Sequence, residues 1–212
     1  IINMEEPTKN KPVSSKEPSR LEGQVESPAN APEQSTLPKH DFWIDSRYYA
    51  IKLLGEGAFG SVYLVFDDLS EEYFALKMAR QKKFDEIIQN EIEIMKKLEL
   101  SGNQNSTFVT HLHDYNTSRG IMMSSKGDLL GADVPYFITE YASEGDLATS
   151  IVRNDEMFKK GIPEAAVFNI FKQLLLGVEG IHQQGFVHLD LKPDNILIMS
   201  QTNVCISDFA QC

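Results

Sequence analysis

The stretch that decides the fold lies near the carboxyl end and reads Val187-His188-Leu189-Asp190-Leu191-Lys192-Pro193-Asp194-Asn195-Ile196-Leu197-Ile198. It places His, Asp, Lys and Asn at H-x-D-x-K-x-x-N spacing between apolar runs, a combination that chance rarely produces. Asp208-Phe209-Ala210 follows thirteen residues after Asn195. Asp190 offers a carboxylate that can accept a hydroxyl proton, while Asn195 and Asp208 offer the oxygen atoms that Mg²⁺ prefers. Any one of these residues could be an ordinary loop residue, but the set predicts phosphoryl transfer.

A glycine-rich segment lies closer to the amino terminus, at Gly55-Glu56-Gly57-Ala58-Phe59-Gly60-Ser61-Val62. Three glycines at these offsets are a weak signal alone, because a flexible hairpin or a dinucleotide site can show the same pattern. A dinucleotide site needs a helix directly after the glycines, whereas the run Val62–Phe66 is typical of a strand. Strand, glycine turn and strand form the arrangement in which backbone N–H groups approach the phosphates of a nucleotide.

A lysine and a glutamate stand out because each lies in an apolar setting. Lys77 lies within a strand-like run, and Glu91 falls on the apolar stripe of a helix predicted over 82–100, three residues after Ile88. A strand lysine commonly faces solvent, and a glutamate at a helix edge can extend to water, so each alone has an ordinary explanation. A carboxylate on an apolar helix face needs a partner, however, and the lysine of the neighbouring strand can supply it. We therefore predict an ion pair, with charged atoms within about 4 Å, that positions the ammonium on phosphate oxygens.

The remaining periodicity predicts a β-rich half followed by a helical half. An apolar stripe from Val167 to Ile181, opened by Pro163, predicts a long helix. The segment Asn116–Val134, rich in Ser, Gly and Asp, is predicted to be a long loop. The predicted strands cover residues 49–54, 62–66, 73–78, 112–115 and 135–141, and residues 195–208 alternate short apolar runs with turns.

From about Tyr48 to its end, the chain resembles the first part of a eukaryotic protein kinase domain of the serine/threonine type. The glycine-rich segment, Ala75-Leu76-Lys77, Glu91, Thr139-Glu140-Tyr141-Ala142 and the motif around Asp190 occur in family order. The resemblance implies a two-lobed α+β kinase-like fold, with a β-rich small lobe at about 48–142 and the first part of a helical large lobe at about 143–212. It also implies a protein serine/threonine kinase that uses ATP and Mg²⁺ and acts on protein substrates.

The resemblance assigns roles to individual residues. Asp190 would be the catalytic base, and Lys192 would contact the transferred phosphate, which is the serine/threonine pattern. Asn195 and Asp208 would hold Mg²⁺. Nucleotide binding would involve Leu54, Gly55, Glu56, Gly57, Ala58, Phe59, Gly60, Ser61, Lys77 and Glu91, with Val62 and Ala75 on the two faces of the adenine, Thr139 behind it, the backbone of Glu140 and Ala142 at its edge, and Asp146 at the ribose.

Three features depart from the family pattern. Leu189 occupies the position of the usual arginine, so the resemblance does not support control by activation-loop phosphorylation through that residue. Ala210 replaces the usual glycine. The sequence ends at Cys212, before the activation segment, the A-P-E motif and the later helices, so we expect a fragment that is inactive as given. The alternative is a non-catalytic nucleotide-binding pseudokinase or scaffold module; a dinucleotide-dependent oxidoreductase is disfavoured by the strand after the glycines.

Composition sets further bounds. The 212 residues include 20 Lys and Arg against 31 Asp and Glu, a net charge of -11 that disfavours binding to nucleic acid or to an anionic membrane. Two cysteines cannot form a disulfide framework, so we expect an intracellular protein, cytoplasmic or nuclear. Residues 1–40 hold six of the nine prolines and are predicted to be a disordered tail, in which Ser27-Pro28 is either a phosphorylation site or plain tail. The oligomeric state is left open.

Overall fold

A computed structural model describes residues 39–100, 107–152 and 163–212. The predicted tail therefore lies outside the described residues except for its last two, and the Ser27-Pro28 site lies outside them as well. The strands are β1 (Phe42–Ile44), β2 (Tyr48–Glu56), β3 (Gly60–Asp67), β4 (Glu72–Ala79), β5 (Leu112–Ser124), β6 (Leu129–Glu140), β7 (Ile196–Ile198) and β8 (Val204–Ile206). The α-helices are α1 (Asp85–Leu100), α2 (Leu147–Val152) and α3 (Glu164–Gln183), and single turns of 3₁₀ helix cover Lys82–Phe84 and Pro193–Asn195.

The first six strands form a closed antiparallel barrel in the order β1-β2-β3-β4-β6-β5. The barrel is filled by apolar and aromatic side chains that alternate along the strands, as expected where one sheet face is buried. β1 closes it, because Phe42 pairs with Ala50 of β2 on one side and with Ser124 of β5 on the other. The sequence pattern does not predict β1. The core residues of the barrel are Phe42, Ile44, Tyr48, Ala50, Val65, Phe74, Leu76, Met78, Tyr136 and Ile138.

The prediction of a long loop over residues 116–134 is wrong. β5 and β6 instead continue as one hairpin that turns at residues 125–128. The pairing shifts register between Asn116 and Gly120, where the strand bulges opposite Pro135, a residue that has no N–H to donate to the ladder. Gly120 is required at the bulge, because a Cβ there would overlap the carbonyl oxygen of Val134. The polar residues are thus the exposed part of paired strands.

The helical half packs beneath the barrel around a second apolar core. The apolar stripe of α1 meets the open end of the hairpin at Leu112 and Phe137. Ile181 of α3 and Ile206 of β8 complete the cluster with Phe209. The predicted long helix is confirmed, with Pro163 at its amino-terminal cap position. The opposite face of α3 leaves large apolar side chains exposed, at Phe168, Phe171 and Leu175. No helix among the described residues is long and apolar enough to cross a membrane.

A charged cluster links three separate strand ends of the barrel. Arg47, in the turn between β1 and β2, binds Asp67 at the end of β3 through two hydrogen bonds of 2.7 and 2.8 Å. Its third nitrogen lies 2.8 Å from Asp114 of β5, which also accepts a 2.6 Å hydrogen bond from the hydroxyl of Tyr48. Asp67 is fully buried, so its charge depends on these partners. We call these four residues the Arg47 cluster.

Candidate active site

The centre of the site is a lysine held between two carboxylates. Lys77 on β4 lies 2.8 Å from Glu91 on α1, so the predicted contact is confirmed. Its ammonium also lies 2.7 Å from Asp208, far away in the sequence. Glu91 is 1% exposed and accepts a second hydrogen bond, of 3.0 Å, from the backbone N–H of Phe209. One helix carboxylate thus fixes both the lysine and the segment that carries Asp208.

The positive charge of Lys77 is stabilised by its two carboxylate neighbours. Burial lowers the pKa of Lys77, but the nearby carboxylates of Glu91 and Asp208 outweigh that effect and raise it above its ordinary value. Lys77 is therefore a permanent cation at neutral pH. Asp208 remains partly exposed at 39%, which leaves it accessible to solvent.

The loop from His188 to Asn195 places a second set of polar groups. Lys192 donates a 2.8 Å hydrogen bond to the carboxylate of Asp190, and this contact, helped by Asn195, lowers the pKa of Asp190. The side-chain N–H of Asn195 donates to the Asp190 carbonyl at 2.8 Å and to its carboxylate at 3.0 Å. Asp190 is thus held ionised, as a proton acceptor must be.

A buried histidine ties this loop to the segment before Asp208. The Nε2 of His188 lies 3.0 Å from the carbonyl of Ser207, and its Nδ1 accepts a 3.3 Å hydrogen bond from the backbone N–H of Asp190. Since a carbonyl only accepts, a proton belongs on Nε2. Ser207 also donates its backbone N–H to the carbonyl of Asn195 at 2.9 Å. Asp190, Asn195 and Asp208 are therefore fixed relative to one another.

Two residues of the site have a left-handed backbone. Leu189 has φ of 62° and Asp208 has φ of 66°. Such values are uncommon for residues other than glycine, and a branched aliphatic side chain has no local hydrogen bond to offset the strain. Leu189 is 71% exposed, so packing does not explain its presence in this conformation.

Four of the residues assigned to the nucleotide lie opposite one another on adjacent strands. Val62 of β3 pairs with Lys77 of β4, and Ala75 pairs with Thr139 of β6. Gly60 is needed where β3 begins, because a Cβ there would lie 3.0 Å from the Met78 carbonyl oxygen. The remaining predicted nucleotide residues include the exposed Leu54, Gly55, Glu56, Gly57 and Ala58, together with Ser61, Glu140 and Ala142.

Asp146, which is predicted at the ribose, also binds the first turn of α2. Its carboxylate accepts hydrogen bonds from the backbone N–H and the hydroxyl of Thr149, at 2.6 and 2.7 Å. These bonds cap the first turn of α2, which follows directly. A ribose contact would therefore have to share this carboxylate with the helix.

The family model described as "Protein kinase domain" matches residues 48–212. This chain belongs to the eukaryotic serine/threonine protein kinase family. The relatives of the kinase domain include "Serine/threonine-protein kinase ICK" of Rattus norvegicus, 34% identical over 77% of this chain and 23% of that protein. "Serine/threonine-protein kinase grp" of Drosophila melanogaster is 33% identical over 74% of this chain and 26% of its own length. The chain thus spans about a quarter of the length of these curated relatives.

The kinase domain also contains site residues that the sequence analysis missed. The backbone N–H of Phe209 and the carbonyl of Ser207 act through the main chain, which leaves no trace in residue type. Arg80 is a side chain that was missed, and it contacts the glycine-rich loop between β2 and β3. The position of Arg80, three residues after Lys77, could have indicated a role near the site, but a surface arginine has many ordinary explanations.

Proposed function

We propose that this kinase domain binds ATP with Mg²⁺ and encodes transfer of the γ-phosphate to serine or threonine hydroxyls of protein substrates. The observation that carries the proposal is the position of Lys77, held between Glu91 and Asp208 at the base of the glycine-rich loop. A fixed cation at that point favours polyphosphate oxygens, and phosphoryl transfer depends mainly on positioning and charge.

The residues present fit a magnesium ion. Asn195 uses its side-chain N–H to bind Asp190, which leaves its amide oxygen as the atom for a cation. Asp208 uses one carboxylate oxygen on Lys77, and its second oxygen would be the other ligand. When bound, Mg²⁺ would neutralise phosphate charge. Asp190 would accept the substrate hydroxyl proton, and the ammonium of Lys192 beside it would contact the transferred phosphate.

Removal of the Asp208 carboxylate should weaken magnesium-dependent nucleotide binding. We expect Asp208→Asn to weaken ATP affinity by at least tenfold in the presence of Mg²⁺, because the substitution removes a charged oxygen ligand and a partner of Lys77. Titration calorimetry with and without Mg²⁺ measures this. The control is Asp68→Asn, the same change at an exposed aspartate in the turn between β3 and β4. Tight NADH binding with no response to ATP would contradict the proposal.

The 212-residue polypeptide alone is expected to transfer no phosphate to protein. Asp190 contributes to catalysis only when a substrate hydroxyl is held beside it. In addition, the exposed apolar face of α3 is expected to promote aggregation of the isolated polypeptide. The measurement compares it with a polypeptide extended past Cys212 by the later kinase elements, on a generic serine/threonine substrate, with Asp190→Asn as the control. Transfer by the short form that disappears in Asp190→Asn would contradict this prediction.

One further outcome separates the two candidate functions. If neither form transfers phosphate while both bind ATP, the non-catalytic pseudokinase function replaces the kinase proposal. The intracellular location and the absence of nucleic-acid and membrane partners remain predictions from composition.

A further inference from the structure

The glycine-rich loop is held by residues that lie just before α1. The Nε atom of Arg80 lies 2.9 Å from the carboxylate of Glu56, and its Nη1 donates to the carbonyl of Gly57 at 3.3 Å. The backbone N–H of Arg80 donates to the carbonyl of Phe59 at 3.1 Å. The ring of Phe59 meets the ring of Phe84 edge-on, with centroids 5.6 Å apart. One short segment therefore contacts both arms and the tip of the loop.

Arg80 and Lys77 use different partners. Lys77 extends to Glu91 and Asp208, whereas its neighbour Met78 belongs to the barrel core on the other face. Arg80 follows the last residue of β4 in a bend, and its guanidinium contacts Glu56 and the carbonyl of Gly57. The guanidinium therefore holds the loop through contacts separate from those that fix the Lys77 ammonium.

The charge of Glu56 gives this contact a second effect. A carboxylate within a loop that covers phosphates would repel them, and Glu56 is 46% exposed. Arg80 compensates this charge through the 2.9 Å contact with the Glu56 carboxylate. Phe59 is only half-buried, and Phe84 leads directly into α1, the helix that carries Glu91. The contact thus connects the loop to the start of the helix that fixes Lys77.

We propose that Arg80 and Phe84 form a clamp that orders the glycine-rich loop before nucleotide arrives. Arg80 is a positioning residue, since it acts through Glu56 and the loop backbone. Ordering the loop in advance reduces the entropy lost on binding, so the clamp slows nucleotide release. The ordering of the loop is inferred only from the contacts of Arg80 and Phe84, whereas the effect on nucleotide release rests on the proposed function.

Hydrogen–deuterium exchange of the nucleotide-free 212-residue chain tests the clamp. We expect the amides of residues 55–61 to exchange about three- to tenfold faster in Glu56→Arg and in Arg80→Glu, because each variant opposes like charges. The charge-swapped double variant should return most of the protection, which a general loss of stability would not do. The matched control reverses the exposed pair Glu93 and Lys96 on α1, which lies 2.8 Å apart, and should leave the loop unchanged.

Release of a fluorescent ADP derivative, measured by stopped flow, tests the consequence. The single variants should release nucleotide about three- to tenfold faster than the wild type, and the swap should restore the slow rate. Equal loop exchange in all variants, or a swap that restores nothing, would overturn the clamp. If the wild type binds no nucleotide, the proposed function fails, while the exchange experiment still decides whether the loop is held.

Discussion

Replacement of Lys77 with methionine is expected to lower the free energy of unfolding by about 3 kcal/mol. Methionine has a similar length but no charge, and the change leaves the carboxylate of Glu91, 1% exposed, facing Asp208 without its cation. A buried ion that loses its partner retains the full cost of its desolvation. Urea denaturation of the wild type and the variant measures the difference.

The double variant Lys77→Met with Glu91→Gln separates this cost from the contribution of the pair, because glutamine keeps an oxygen that can accept the hydrogen bond from the Phe209 N–H. Removal of both charges should recover most of the lost stability, since a buried ion pair contributes little beyond the neutral groups that replace it. Lys96→Met, which removes the exposed partner of Glu93, is the control and should leave stability unchanged within error. If the double variant were as unstable as the single variant, packing of the lysine stem and not the buried charge would be responsible.

The second large effect concerns the Arg47 cluster. We expect Arg47→Met to destabilise the barrel by about 2 to 3 kcal/mol, because Asp67 is fully buried and loses two hydrogen bonds to the guanidinium. Asp67 keeps hydrogen bonds from the backbone N–H of Leu69 and the hydroxyl of Ser70, which places the loss at the lower end for a buried pair. Thermal and urea unfolding measure it.

The pH dependence of this variant is a sharper test than its stability. The hydrogen bond from Arg47 lowers the pKa of Asp67 from 3.8 to about 2. Because the folded pKa lies below the unfolded value, the unfolded chain binds more protons between these pH values, and stability from Asp67 is lost as the pH falls from about 4 to 2. The stability difference between wild type and Arg47→Met should therefore shrink over that range. A difference that stays constant from pH 5 to pH 2 would contradict the assignment.

The part of the site that could be predicted from sequence consists of residues whose type conflicts with their surroundings. Glu91 on an apolar stripe and Lys77 in an apolar strand both needed a partner, and the structure supplies each with the other. The spacing of Asp190, Lys192 and Asn195 was informative for a similar reason, since one short loop had to hold three polar side chains. The involvement of Asp208 with Lys77 was not predicted, because it depends on the fold bringing distant segments together.

The errors have equally physical causes. Residues 116–134 were predicted as a loop from their Ser, Gly and Asp content, but strand pairing satisfies their backbone groups, and one face of this hairpin meets solvent. β1 has only three residues, too few for any periodicity to register. The Arg47 cluster joins strand ends that are far apart in the chain, and each of its members alone is an ordinary polar residue.

The closure of the barrel by β1 has a consequence for how the domain folds. β2, β3 and β4 are neighbours in sequence and can pair through short turns, and so can β5 and β6. The pairing of Phe42–Ile44 with Met122–Ser124 instead joins residues that are far apart in the chain. Forming that contact closes a long loop and costs chain entropy, and only three residue pairs stabilise the contact once it has formed. We therefore expect the three-stranded unit β2–β3–β4 and the hairpin β5–β6 to form first, and the pairing between β1 and β5 to form late. The folding rate of the lobe is then governed by its shortest strand.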